Sequence, residues 1–352
     1  MKGKRIVFLD YMRVIACFMV IMVHSCEFFF IDGSEIGIRS MEDGFWVSVF
    51  DSAFRCSVPL FVIISAYLLV PVDGSAALFF KKRLTRVVVP FAVWSLLYAS
   101  LPYVWHAMSR QDVIDSILHL AYNFNDASGH LWFVYMLAGL YLFMPVISPW
   151  LRQSGKKALQ MFLLLWFISS FFPYLRDAFG YVFGECYWNE YNMLWYFSGF
   201  IGYVVLAYYL RHHLHWSAKK RIAVGIVAYL TGYAVTGSIW YGRIPTAETL
   251  QQLELSWRFC TPNVILESFG AFLLIEGIFR NAGSNRLTEE ISNLSYGMYL
   301  MHIFILGAVY SLLEGLLPTP AVIVLTGTIT FLLCALLSKC LSLLPGSRYL
   351  IG

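Results

Sequence analysis

The sequence predicts an all-α fold, that of a polytopic membrane protein with about ten transmembrane helices in one domain over residues 1–352. Of the 352 residues, 59% are hydrophobic and only 13% are charged, whereas soluble domains carry roughly 25% charged residues. Apolar stretches of about 20 residues, enough to cross a bilayer, recur along the whole chain. Loops rich in basic residues alternate with loops that are poor in them, as expected for the two sides of a membrane.

Ten apolar stretches are candidate spans, separated by charged or turn-forming segments. The fifth is short, and residues 112–122, between the third and the fourth, are expected to form a helix on the outer surface. The expected spans cover residues 7–30, 46–70, 87–105, 131–150, 158–172, 192–209, 222–241, 262–279, 295–313 and 321–344.

The basic residues of the loops indicate how the chain is oriented. Cytoplasmic loops of membrane proteins hold an excess of Lys and Arg. With ten spans, the loops on one side, together with both termini, carry seventeen Lys and Arg residues. The loops on the other side carry five, namely Arg39, Arg110, Arg176, Arg243 and Arg258. Adding or removing one span would destroy this bias, so both termini are predicted to be cytoplasmic.

Composition and motifs argue against several classes of function. The net charge of +4 comes from the basic loops, and no basic run with interleaved aromatic residues points to a nucleic acid. Seven cysteines are scattered without a Cys-x-x-Cys pair, so no metal site or dithiol redox site is expected. A bridge between the outer Cys186 and Cys260 stays open. The sequence has no Gly-rich phosphate loop and no nucleophile elbow of a soluble hydrolase.

The first span carries ionisable residues on one face. A charge at the centre of a bilayer costs roughly 2.5–3.5 kcal/mol, so charged residues within a span are functional candidates. The step from Arg13 to His24 turns a helix by about 1100°, within about 20° of three full turns. Asp10 and Glu27 lie within about a quarter turn of the same face. This face predicts a polar track from one membrane surface towards the other.

His24 is the candidate general base of this track. Counting helix rise from the basic N-terminus places it near the outer end of the span. In the second span, Asp51 and Arg55 lie at about the same depth and on one face. A neutral imidazole there would take a proton from an acceptor hydroxyl, with Asp51 or Glu27 orienting the ring. The alternative is a histidine that only forms an interhelical hydrogen bond.

The entrance of the third span is strongly basic. Lys81, Lys82, Arg83 and Arg86 lie within six residues. Guanidinium groups bind phosphate bidentately, which suits a phosphate-rich ligand. Such clusters are equally typical of topology anchors and of contacts to anionic lipid, and the pattern alone does not separate these interpretations.

Two further pairs of residues are candidates for substrate binding or proton relay. His130 and Trp132 open the fourth span on the same side as His24. His130 would hold an acceptor or act as a second acid or base, and it is equally consistent with an interfacial residue beside an anchoring Trp. Tyr299 and His302 lie one helical turn apart near the middle of the ninth span. They would line the same cavity, or they would only lock helices together.

The chain resembles a known family at these same residues. Asp10-Tyr11-Met12-Arg13 followed by His24 resembles the first-helix signature of the acyltransferase-3 membrane family, in which an Arg or Lys precedes a His with ten residues between them. The second span is similar to that family at Val58-Pro59-Leu60-Phe61. It departs at Ala66, where the family usually has Gly.

Later segments extend the resemblance over most of the chain. Arg83-Leu84-Thr85-Arg86 matches the family's Arg-x-x-Arg, and the segments at His130-Leu131-Trp132 and Tyr299-Leu300-Met301-His302 are similar to its later helices. The resemblance implies an enzyme that moves an acyl group, commonly acetyl, from cytoplasmic acyl-coenzyme A to an extracytoplasmic carbohydrate.

The resemblance also implies roles for individual residues. His24 would be the catalytic histidine, with Arg13 as its partner and Asp10 beside them on the polar face. Arg83 and Arg86, with the adjacent Lys82, would bind acetyl-coenzyme A. The chain is most similar to stand-alone members that acetylate surface glycans such as enterobacterial common antigen, which implies the inner membrane of a bacterium.

A hypothesis from a different class remains open at this point. A transporter of a glycan or an acylated substrate would use the track of Asp10, Arg13 and His24 as a proton relay. It predicts substrate movement in vesicles without coenzyme A, and no effect of replacing Arg83 and Arg86 together. A transporter built from inverted repeats would more often show broken spans at matching positions in two halves, and no such repeat is visible in the sequence.

Overall fold

Helices form most of the described protein. The computed structural model describes residues 5–104, 108–120, 122–124, 126–180 and 190–352. The helices are α1 (Val7–Glu27), α2 (Met41–Phe54), α3 (Ser57–Leu69), α4 (Ala76–Arg83), α5 (Val89–Val104), α6 (Arg110–His119), α7 (Trp132–Gln153), α8 (Lys156–Ser169), α9 (Phe172–Phe179), α10 (Ile201–His212), α11 (Ala218–Arg243), α12 (Leu250–Leu253), α13 (Pro262–Phe279), α14 (Arg286–Leu313), α15 (Thr319–Ser342) and α16 (Arg348–Ile351).

Shorter elements connect these helices. One π-helical segment joins α4 to α5, and a two-stranded antiparallel hairpin follows α1. The π segment covers Leu84–Val88, 3-10 turns cover Asp126–Leu131, Asn192–Phe197 and Glu254–Trp257, and the hairpin pairs Ile31–Asp32 with Glu35–Ile36.

Nine helical segments among the described residues are long and apolar enough to cross a membrane, which confirms an all-α polytopic membrane protein. Each corresponds to one of the expected spans, and only the sixth expected span has no counterpart among them. The nine segments cover Val7–Glu27, Met41–Leu69, Ala76–Val104, Ser128–Gln153, Lys156–Phe179, Ala218–Arg243, Leu250–Phe279, Arg286–Leu313 and Thr319–Ser342.

The sixth expected span is a broken helix. A 3-10 turn over Asn192–Phe197 ends at Ser198, whose backbone is extended, and Gly199 has a φ of 76°, a conformation that glycine adopts without a Cβ clash. The twelve residues of α10 follow. The two pieces together rise about 30 Å, the thickness of a hydrocarbon core. Ten crossings therefore remain a prediction, with the sixth crossing interrupted at Gly199.

The first helix, α1, lies inside the bundle. It packs against α2, α3, α13, α14 and α15, and Met12, Ala16 and Ile21 are almost completely buried. Its ionisable side chains therefore face protein and not lipid, which is the arrangement expected for charges that a span tolerates.

Helices α11 and α13 pack closely. A Cβ added to Gly270 would lie 2.3 Å from the backbone N of Tyr229, and one added to Gly232 would lie 2.6 Å from the backbone N of Glu267. Small residues at such contacts let the two backbones approach. Helix α13 in turn packs against α1, and the 3-10 turn that leads into α13 packs against α11.

Candidate active site

The N-terminal half of α1 is tied to α14 by a polar cluster. The carboxylate of Asp10 accepts hydrogen bonds from Arg5 Nε at 2.6 Å and from Ser292 Oγ at 2.7 Å, and it raises the pKa of the Arg5 guanidinium. Arg13 donates to Ser292 Oγ at 2.9 Å and lies 3.7 Å from Asp10. Asp10 is buried and outside the cavity described below, so it fixes Arg13 and does not itself contact a ligand there.

A cavity of about 390 Å³ connects two groups of charged and polar side chains. Arg13 and His24, both in its lining, are eleven residues apart on α1, a rise of about 16 Å and roughly half of a 30 Å hydrocarbon core. We call the two groups the basic end and the histidine end. The basic end comprises Arg13, Arg83 and Arg86, and the histidine end comprises His24, Glu27, Arg55 and His130.

The basic end is assembled from three elements. Tyr296, one turn after Ser292 on α14, donates its hydroxyl to the carbonyl of Val87 at 2.7 Å, which places the π segment with Arg86 beside Arg13. Arg83 Nε is buried and has no hydrogen-bond partner among the described residues. Lys82, expected from the sequence to act with the two arginines, is exposed and is not part of the lining.

A carboxylate partner orients the ring of His24 at the histidine end. Its Nδ1 lies 2.9 Å from Oε1 of Glu27. When Nδ1 donates to an ionised carboxylate, the neutral ring keeps its lone pair on Nε2, which is the form that a general base requires. The side chain of His24 is 17% exposed.

Two more imidazoles surround His24. Its ring centroid lies 5.0 Å from that of His302 and 6.5 Å from that of His130, and the latter two are 5.1 Å apart. His302 Nδ1 donates to the carbonyl of Tyr299 at 2.6 Å. Within the described part of the chain, Nε2 of His130 and Nε2 of His302 are buried without a partner. A cluster of three histidines thus closes this side of the site.

Tyr299 combines the two roles that the sequence left open. It lines the cavity, and its hydroxyl donates to the carbonyl of His130 at 2.6 Å, which locks α14 to the segment before α7. His302 lies behind the cavity wall and not in its lining. Trp132 does line it and packs against Phe259 with a centroid distance of 5.4 Å.

Asp51 and Arg55 lie one helical turn apart at the end of α2. They form a buried ion pair, and the Arg55 guanidinium lies 4.1 Å from the ring centroid of Trp257. Arg55 reaches the cavity, whereas Asp51 is fully buried behind it. Glu27, and not Asp51, contacts the ring of His24.

The sequence reasoning missed Glu254 and Phe259 as cavity residues. Glu254 opens the 3-10 turn before α13, and Phe259 lies between that turn and α13. Both line the cavity at the histidine end. The available signal was weak: an acid in the loop before an apolar span is common on any membrane surface. The possible bridge between Cys186 and Cys260 stays untested, because Cys186 lies outside the described residues.

Fold and site together define a polytopic membrane protein with a polar internal cavity that joins three arginines to a histidine bound by a carboxylate. The chain belongs to the acyltransferase-3 family, whose model, described as an acyltransferase domain, matches residues 6–339. This match covers nearly the whole chain and confirms the family resemblance. No curated protein and no solved structure matches the chain.

Proposed function

We propose that the protein transfers an acyl group, in the first instance acetyl, from cytoplasmic acyl-coenzyme A to a hydroxyl of an extracytoplasmic or lipid-linked carbohydrate. The observation that carries this proposal is the cavity with arginines at one end and His24 at the other. The basic end faces the cytoplasm in this proposal, with both termini, and the membrane is the bacterial inner membrane. A surface glycan such as enterobacterial common antigen is the type of acceptor that the family resemblance favours.

The dimensions of the cavity suit an acyl-coenzyme A donor. The arginines of the basic end match the phosphates of the coenzyme in charge and in bidentate geometry. The arm between the diphosphate and the sulfur contains twelve chain bonds, and its extended length is about 14 Å if three bonds span one residue's 3.3–3.6 Å. The rise from Arg13 to His24 is about 16 Å. A donor bound by its phosphates at the basic end would therefore present its thioester beside His24.

The arrangement at the histidine end supports general-base catalysis. His24 Nε2 removes the proton of the acceptor hydroxyl while its oxygen forms a bond to the thioester carbonyl carbon. The carbon–sulfur bond then breaks, and the departing thiolate takes up the proton. Glu27 holds the ring and stabilises the imidazolium between these steps. An alternative in which His24 first carries the acyl group itself uses the same atoms.

Replacing His24 tests the proposal directly. A general base contributes roughly 10²–10⁴-fold to a rate, so we expect His24→Ala to lower acetyl transfer by that factor without unfolding the protein. The measurement is incorporation of labelled acetyl groups from acetyl-coenzyme A into lipid-linked and surface glycans of membranes that contain the variant.

His215→Ala is the matched control, because His215 is exposed and outside the cavity. Wild-type transfer by a folded His24→Ala protein would overturn the assignment. Mass spectrometry of glycans from cells with and without the protein then identifies the acceptor.

A further inference from the structure

A second cavity, of about 380 Å³, adjoins the histidine end. Four residues line both cavities, namely Arg55, Trp132, Glu254 and Phe259. The second cavity therefore begins at the histidine end of the first, to which Arg55 belongs. In the proposed reaction, a molecule in this position would be the acceptor and not the donor.

Aromatic rings form much of the wall of this cavity. Trp132 packs nearly parallel to Phe259, with an interplanar angle of 23°, and Trp257, Phe200 and Tyr191 complete the aromatic lining. Flat aromatic faces give apolar contact area to the C–H face of a sugar ring, while a few polar groups orient its hydroxyls. The wall thus has the chemistry of a saccharide site.

The two arginines of the lining differ in whether they already form an ion pair. Arg55 already forms an ion pair with Asp51. Glu254 lines both cavities, whereas Arg258, four residues later, lines only the second. Arg258 is exposed, and it forms no ion pair with any described carboxylate. Arg39 and Arg243, by contrast, pair with Glu314 and Asp177.

We propose that the second cavity binds an anionic saccharide, whose oxyanion pairs with Arg258 while a neighbouring hydroxyl points past Glu254 to His24. This inference rests on the proposed function, because that function makes this cavity the acceptor site. A guanidinium recognises carboxylate and phosphate alike, so the anion is either a carboxylate on the sugar or a phosphate attached to it.

Binding of matched sugars to the purified protein in nanodiscs tests this site. The probes are methyl β-glucoside and methyl β-glucuronide, which differ by one carboxylate, and glucose with glucose 6-phosphate, which differ by one phosphate. Saturation-transfer NMR titrations give the affinities. We expect the wild type to favour an anionic sugar about fivefold, the contribution of one exposed ion pair. The pair that shows the preference identifies the carboxylate or the phosphate.

Variants of Arg258 assign any preference to this residue. Arg258→Gln should bring the affinity ratio to about one, Arg258→Lys should retain part of it, and Arg39→Gln, which removes an outer arginine far from the lining, should leave it unchanged. Equal binding of both members of both pairs by the wild type, or an undiminished ratio in Arg258→Gln, would refute the proposal. Coenzyme A is absent from the assay, so the binding result does not depend on whether acetyl-coenzyme A is the donor. Conversely, a site without anion preference would still allow acetyl transfer to a neutral sugar.

Discussion

At the scale of single residues, the orientation of His24 depends on Glu27. Oε1 of Glu27 lies 2.9 Å from Nδ1 of His24, and an ionised carboxylate there would make Nδ1 the donor and leave the lone pair on Nε2. A glutamine keeps an acceptor oxygen but removes the charge that stabilises an imidazolium, and charge-assisted hydrogen bonds are roughly twice as strong as neutral ones.

We therefore expect Glu27→Gln to lower kcat about tenfold, since about 1.4 kcal/mol separates the two kinds of bond, with little change in KM for acetyl-coenzyme A. Steady-state acetyl transfer measures both constants. Glu35→Gln, in the exposed hairpin, is the control. An unchanged kcat in Glu27→Gln would mean that another group holds the imidazole.

The sequence could predict some of these residues and not others. Arg13 and His24 stood out because charges in an apolar helix are costly and because their spacing returns to one face. Glu254 could not be identified, since its position depends on the 3-10 turn that precedes α13. The choice between Asp51 and Glu27 as the partner of His24 needed coordinates, because the sequence allows either acid to reach the ring.

At the scale of elements, the end of α4 and the π-helical segment that follows it each present one arginine to the cavity. Arg83 ends α4 and Arg86 lies in the π-helical segment, and both reach the lining, whereas Lys82 does not. The Arg83→Gln/Arg86→Gln double variant should raise KM for acetyl-coenzyme A about 30- to 140-fold, at about 1–1.5 kcal/mol for each of the two phosphate contacts.

The Lys81→Gln/Lys82→Gln double variant removes the same charge from the same segment and should change KM less than threefold. Equal effects of the two double variants, read from acetyl-transfer kinetics, would indicate a general membrane or charge effect and not a coenzyme site. Wild-type transfer kinetics in both double variants would favour the transporter hypothesis.

The contact between α11 and α13 is a second element with a measurable consequence. A side chain at Gly270 has no room, because its Cβ alone would overlap the backbone of Tyr229. Gly270→Val should lower the Tm in detergent by several degrees, since overpacking costs about 1–3 kcal/mol. Gly139→Val is the control, as a Cβ at Gly139 meets no atom within 4 Å. Equal Tm values for the two variants would show that the close contact between α11 and α13 at Gly270 does not contribute to stability.

Sequence patterns predict elements well where length and hydropathy decide them. The bounds of α13 match its apolar stretch and α1 ends three residues before the end of its own, whereas α14 begins at Arg286, nine residues before its expected start. A helix also forms at Arg110–His119, near the segment expected on the outer surface. The break at Gly199 was not predicted, because an apolar window records composition and not backbone conformation. Local helix geometry also decides that Arg83 lines the cavity and that the adjacent Lys82 does not.

At the scale of the whole molecule, the cavity must be continuous for the proposed reaction to occur. Val20 of α1 lies in its lining, seven residues after Arg13 and four before His24. Val20→Trp should fill the space between the two ends, so we expect acetyl transfer to fall at least about 100-fold, an effect of nearly 3 kcal/mol.

Binding of the nucleotide portion should survive this block. Affinity for the nucleotide 3′,5′-adenosine diphosphate, which lacks the arm, should stay within about threefold by calorimetry, because the arginines are untouched. Ile226→Trp, on an exposed face of α11, is the control for a large side chain in the bundle. Full transfer activity in Val20→Trp would mean that donor and acceptor meet by another route.

The second cavity, which adjoins the histidine end, has a consequence for polymer length. In the proposed reaction only one hydroxyl has to reach the imidazole, and the remainder of an acceptor would stay beyond Arg258. Chains of many repeat units and single repeat units would then be modified at comparable rates per site, so the degree of decoration of a polymer would report the time it spends near the membrane and not its size.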